Sequence, residues 1–149
     1  MRIVRLPGIH HDANAVLLIG SEEAILIDSG TAWYQLLQQE RIIGQCGEEC
    51  KLREIVLTSR RYPFSGGSRA ISERFGDVPI SAHHSAISSL STGDFFTTWA
   101  NRFDSDMPRF EVEGIDESTV KILDDESIEI LEAPGPSSCN LLALSLIHI

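Results

Sequence analysis

The chain has 149 residues and is 42% hydrophobic, enough to bury the core of one compact domain, since domains commonly run ~100 to 200 residues. Twelve Lys and Arg against 22 Asp and Glu leave a net charge of −10, which repels nucleic-acid phosphates and anionic membrane surfaces and predicts neither as a partner. The longest apolar runs, AVLLIG and LLALSLIHI, fall far short of the ~20 residues of a membrane-spanning helix, and the N-terminal MRIVRLPGIHHDANAV has no apolar core of a signal peptide, so a cytoplasmic location is expected.

Strand and helix signals alternate along the chain. Ile3 to Leu6 predicts a short strand, and Ala15 to Ile19 with Ala24 to Ile27 predict a hairpin around Gly20-Ser21-Glu22-Glu23. After Asp28-Ser29-Gly30 the period changes: Trp33, Leu36, Leu37, Ile42 and Ile43 approximate helical spacing, with Gly44 as a stop signal. Glu54 to Thr58 predicts a buried strand, SRRYPFSGG a turn, and Ala70, Ile71 and Phe75 one face of a helix that ends at Gly76. Pro79 to Ala82 predicts another strand. Short helices are expected at His84 to Leu90 and at Asp94 to Phe103, the second capped by Thr92 or Asp94 and carrying a packing stripe of Phe95, Phe96, Trp99 and Phe103. The strands TVKIL, SIEILEA and Asn140 to Leu146 follow. This order predicts an α/β layered (α+β) domain over residues 1–149, with helices on one face of a mixed sheet. Because the last strand candidate lacks a closing element, an incomplete domain with one open sheet edge is expected.

The landmarks resemble the metallo-β-lactamase superfamily in their order. Asn14 to Ile19 and Ile25-Leu26-Ile27-Asp28-Ser29-Gly30 resemble that family's opening hairpin and its LIDTG segment, and Ile55-Val56-Leu57-Thr58 resembles the ILTH strand. Gly66-Gly67 matches the end of THxHxDHxGG, Ser81-Ala82-His83 resembles VYAH, and Ala133-Pro134-Gly135 resembles TPGHT. The resemblance implies the N-terminal half of an αββα sandwich. It also fixes a register in which Ser59 and Arg61 replace the first two histidines, Pro63 the aspartate, Phe64 the third histidine, and Pro136 the histidine of the Pro-Gly-His segment. Imidazole and carboxylate donors hold metal in that family; proline and phenylalanine supply none, and a guanidinium repels a divalent ion.

The resemblance places Asp28 beside the metal centre of the family. In a centre without metal, Asp28 is expected either to cap a turn or to pair with Arg60 or Arg61, which would bring positive charge where metal charge used to lie. Ser65, Gly66 and Gly67 precede a helix next to those arginines, so backbone N–H groups and guanidinium charge are candidates for holding a phosphate or carboxylate. His10, His11, Asp12 and His83 are the candidates for a replacement metal site. Neighbouring strand residues point to opposite faces, however, so the pairs His10-His11 and His83-His84 are each expected to offer only one ring, and surface histidines are favoured. His148, near the chain end, is expected to fray. Cys46, Cys50 and Cys139 suit reduced thiols better than a Cys46–Cys50 bridge.

These readings converge on a domain without cofactor that acts through binding or structure, on a small anionic molecule or a protein partner, with no oligomeric state indicated. The alternative is a hydrolase that uses zinc or another divalent metal at an unconventional site, or a part of a longer enzyme. A plain structural fragment with an unfinished sheet is the third class.

Overall fold

The computed structural model describes residues 1–116, 118–135 and 137–145. It consists of a helical layer, a six-stranded mixed sheet and a three-stranded antiparallel sheet. Strands β1 (Arg2–Leu6), β2 (Ala15–Ile19) and β3 (Ala24–Ile27) form an antiparallel meander. From β3 the pairing turns parallel through β4 (Leu52–Val56), β5 (Ile80–His83) and β6 (Glu113–Ile115), and the strands lie in sequence order. The connections carry α1 (Gln35–Cys46), α2 (Tyr62–Ser65), α3 (Ser68–Arg74) and α4 (Ile87–Thr92). Strands β7 (Thr119–Leu123), β8 (Glu126–Glu132) and β9 (Leu141–Ser145) make the second sheet.

The inner strands β2 to β5 are buried on both faces, which explains why most of them read as nearly continuous apolar runs, while the edge strands β1 and β6 are largely exposed. Successive β3 side chains alternate between two cores: Ala24 and Leu26 pack with Ile42 and Ile71 of the helices, whereas Ile25 and Ile27 pack with Leu123, Ile128, Ile130 and Leu141 of the second sheet. Glu54, beside buried Ser81, is a polar exception between the sheets. This buried carboxylate lies 3.0 Å from Lys121 Nζ on β7 and 3.7 Å from an Arg53 guanidinium nitrogen, so its charge is paired where water is scarce.

Several expectations are corrected. The first helix runs through Gly44 to Cys46, and the break comes at Gly47, whose φ of +91° suits glycine. Its buried residues are Gln38, Gln39 and Ile42, while Leu36, Leu37 and the preceding Trp33 are exposed. The helix continuing past Gly44 brings Cys46 and Cys50 to a Cα separation of 5.4 Å, and they form a disulfide in place of the reduced thiols expected. No helix spans Asp94 to Phe103. Asp94 does cap, accepting from Phe96 and Thr97 N–H, but what it closes is a turn, and only Ala100–Phe103 is helical, as a 3-10 turn. Of the four aromatic residues, Phe95 and Phe96 are exposed and Phe103 alone packs against the core. Among the described residues no helix is long and apolar enough to cross a membrane. Leu146 of the last predicted strand, Pro136 and His148 lie outside the described residues.

Ile25 is fully buried between the two sheets, so Ile25→Ala should lower the unfolding free energy by about 2–5 kcal/mol in urea denaturation. A loss well under about 1 kcal/mol would mean that the second sheet does not pack there.

Candidate functional site

In a parallel sheet the helix-bearing connections leave from the carboxyl ends of the strands, and ligand sites collect at that edge. The ends of β3, β4, β5 and β6 here present Asp28, Thr58, His83 and Asp116, in that order across the sheet. Asp28 takes a left-handed backbone conformation (φ 62°) just past β3. Its Oδ1 accepts from the Thr58 N–H at 2.8 Å and its Oδ2 lies 2.6 Å from Thr58 Oγ. Burial raises the Asp28 pKa from the ordinary value of 3.8 to about 7, against the opposing pull of the Thr58 hydroxyl and N–H. The Thr58 hydroxyl can donate or accept, so the pair is satisfied whether Asp28 is ionised or protonated.

The segment from Ser59 to Gly67 is fastened to its surroundings by backbone bonds. Ala13 N–H donates to Pro63 O, Ser29 N–H to Phe64 O, Tyr62 N–H to Thr98 O and Gly67 N–H to Gly30 O. A Cβ on Gly67 would lie 3.0 Å from Ser29 O and 3.1 Å from Thr31 O, which is why a residue without a side chain sits at this contact. Buried Ser59 accepts the Arg61 N–H at its hydroxyl, while Pro63 and Phe64 have no donor atom to offer an ion. The residues at the lactamase ligand positions therefore do not fit a metal.

The expected ion pair is also absent: neither Arg60 nor Arg61 lies within ion-pair distance of Asp28 among the described residues. The guanidinium carbon of Arg61 instead lies 3.5 Å from the centroid of the Trp99 ring, with that of Arg102 at 4.0 Å, a cation–π arrangement. Arg60 N–H meets the buried thiol of Cys139 at 3.4 Å, and Arg60 Nε is buried with no hydrogen-bond partner among the described residues. The backbone N–H cradle expected at Ser65, Gly66 and Gly67 is taken up internally. The Ser65 N–H donates to Arg61 O and the Gly66 N–H to Tyr62 O, and the Ser65 hydroxyl donates to Arg60 and Arg61 carbonyls.

The histidines divide differently from expectation. His10 stacks on Tyr34 and His11 packs against Phe103, while Asp12 Oδ1 accepts from both the N–H and the hydroxyl of Thr31. His83 and His84 do not point apart. Strand β5 ends at His83 and a 3-10 turn begins at His84, which brings the two rings to 4.2 Å. His83 Nε2 lies 2.5 Å from Glu132 Oε1, and donor atoms of His83, His84 and Glu132 are all within 4.8 Å of one another. Sequence reasoning missed Glu132 because β8 approaches β5 only through the packing of two sheets.

Solved structures with the same arrangement include the metallo-β-lactamase MIM-1 from Novosphingobium pentaromativorans, with a TM-score of 0.71 and 18% identity over 86% of this chain and 47% of that one. The subclass B3 enzyme BJP-1 of Bradyrhizobium japonicum gives a TM-score of 0.75 at 18% identity over 89% of this chain and 50% of the enzyme. The chain has the metallo-β-lactamase fold. It spans about half the length of the lactamases it matches, and 30% of a flavoprotein from Thermotoga maritima that is also similar (TM-score 0.67, 15% identity, 89% of this chain). No family model and no curated protein matches the sequence. On this metallo-β-lactamase fold the usual metal position is degenerate, and what remains nearby is the incomplete cluster of His83, His84 and Glu132.

The Asp28 shift has a definite pH signature. The folded chain holds this proton up to about pH 7 while the unfolded chain releases it near pH 3.8, so stability from this group is present at low pH and lost as pH rises through about 7. Asp28→Asn keeps the shape and cannot ionise. Its melting temperature should therefore fall less than that of the unmodified chain between about pH 5 and pH 8; parallel curves would show that Asp28 is already ionised in the fold.

Proposed function

We propose that the chain is a non-hydrolytic binding domain on a metallo-β-lactamase fold, whose former metal position recognises a small anion. The observation that carries this reading is the replacement of the donor set by Ser59, Arg61, Pro63 and Phe64, with Asp28 committed to Thr58. Arg61 and Arg102 share the Trp99 ring at this edge and Arg60 precedes Arg61 in the chain, near the Asp94 carboxylate, in a chain whose net charge is −10. Neighbouring guanidinium groups draw in anions. Guanidinium groups suit phosphate, sulfonate or carboxylate oxygens because their N–H groups form a planar fork. One matched lactamase, SMB-1, was crystallised with 2-mercaptoethanesulfonate (TM-score 0.76, 19% identity over 95% of this chain and 53% of that enzyme), so the fold admits an anionic ligand in that protein. Ser65, Gly66 and Gly67 serve in this reading by shaping the loop that presents the arginines. A protein carrying acidic side chains would engage the same charges.

A second reading has support from the second sheet. Val120, Ile122 and Leu142 are exposed on it, a face suited to cover by further structure. In that reading residues 1–149 form one domain that is part of a longer enzyme, with competent chemistry elsewhere. A cytoplasmic location belongs to the first reading, and the Cys46–Cys50 disulfide weighs against it, since such bonds persist in oxidising compartments.

Two assays test the first reading. With zinc supplied, the purified chain should hydrolyse no β-lactam above the rate of the buffer, and turnover would overturn the non-hydrolytic reading. Phosphate titrated at constant ionic strength should raise the melting temperature by a few degrees in the unmodified chain and less in Arg60→Ala/Arg61→Ala. An equal shift in both would remove the anion site.

A further inference from the structure

We infer that His83, His84 and Glu132 form a site for a divalent transition metal, with zinc the best-suited ion, one strand away from the position that the lactamase fold ordinarily uses. The inference goes beyond the proposed function and does not depend on it. The donor chemistry is the first argument. Two imidazoles and a carboxylate are a zinc-type ligand set, and their donor atoms already lie within 4.8 Å of one another. Zinc bonds of about 2.0–2.2 Å need donors somewhat closer than that, and the half-exposed His84 and Glu132 side chains have rotamer freedom to close the gap. The fourth position is open to water or to Asp116, whose Oδ1 lies 3.4 Å from His84 Nδ1.

The second argument is how the site is held. His83 is 6% exposed and fixed at the end of β5, so one ligand is rigid while two are mobile enough to capture an ion from solvent. The backbone of His83 (φ −55°, ψ 140°) ends the strand there, so the alternation that would send His84 to the opposite face does not continue.

The third argument is the group behind the ring. Ser85 N–H lies 3.2 Å and Ser85 Oγ 2.7 Å from His83 Nδ1. The two ring nitrogens have separate partners, Ser85 at Nδ1 and Glu132 at Nε2. With metal, the ring's single proton sits on Nδ1 and is accepted by Ser85 Oγ, leaving the Nε2 lone pair for the ion. A hydrogen-bonding partner behind a ligating histidine is a recurrent feature of metal sites, and its loss commonly costs 10–100-fold in affinity.

The test is zinc titration of the full chain by calorimetry, with cobalt absorption as a spectroscopic readout of the ligand field. One zinc per chain is expected, weakened about 10-fold or more by Ser85→Ala and by a larger factor in His83→Ala and in Glu132→Gln. His10→Ala/His11→Ala should bind zinc as the unmodified chain does. Far-ultraviolet circular dichroism confirms that each variant is folded, and Glu132→Gln, at an exposed position, tests the site should His83→Ala not fold. Failure to take up one zinc would overturn the inference, and so would unchanged affinity in folded Glu132→Gln or loss of binding in His10→Ala/His11→Ala.

Discussion

The contact between Asp28 and Thr58 is the constraint on which this edge of the molecule depends. It joins the ends of two neighbouring parallel strands, and both carboxyl oxygens are used in doing so. Asp28 N–H is itself bonded to Val56 O, so the carboxyl is aimed by a backbone that continues the sheet. Around it, Ser29 and Gly30 receive the segment that runs from Ser59 to Gly67. A carboxylate free to face a metal would have to surrender these bonds, and a buried charge without them is costly. Asp28 thus serves the backbone at this edge, tying the ends of two strands together.

Electrostatics follow the same division. Arginine stands at one of the ligand positions, and its guanidinium lies over the Trp99 ring and outside ion-pair distance of Asp28. Trp99 itself sits in a left-handed conformation (φ 63°) that interrupts any helix through this region, and its ring lies against the Arg61 and Arg102 guanidinium groups. The aromatic residues expected to pack internally are therefore split between an exposed pair, a core contact and a cation–π partner. Metal capacity, by contrast, moves to the next strand, where the buried His83 meets Glu132 across the gap between the sheets.

Much of the architecture was legible because its signals are local. The hairpin Ala15–Ile19 and Ala24–Ile27 has the bounds read from its apolar runs, and the landmark order from Asp28 to Gly135 identified the fold. The vacant ligand positions were legible too, since proline and phenylalanine exclude coordination wherever they lie. What failed depends on tertiary context. Gly44 is a weak stop signal, because helices tolerate an isolated glycine at a cost of only about 1 kcal/mol, and the Cys46–Cys50 disulfide lies just beyond it, at the true helix end. The inward face of the first helix could not be foreseen because Gln38 and Gln39 are buried while Leu36 is exposed. The strand rule for His83 and His84 failed because the strand ends between them, and the ring of His84 turns with the backbone.

The central claim is that the metal position of this fold is closed here and that the chain's donors converge one strand away. Anomalous diffraction at the zinc absorption edge, from crystals soaked in zinc, tests it most directly. The account predicts a peak bounded by His83 and Glu132 and none beside Asp28 and Thr58. A peak within coordination distance of Asp28 would contradict it.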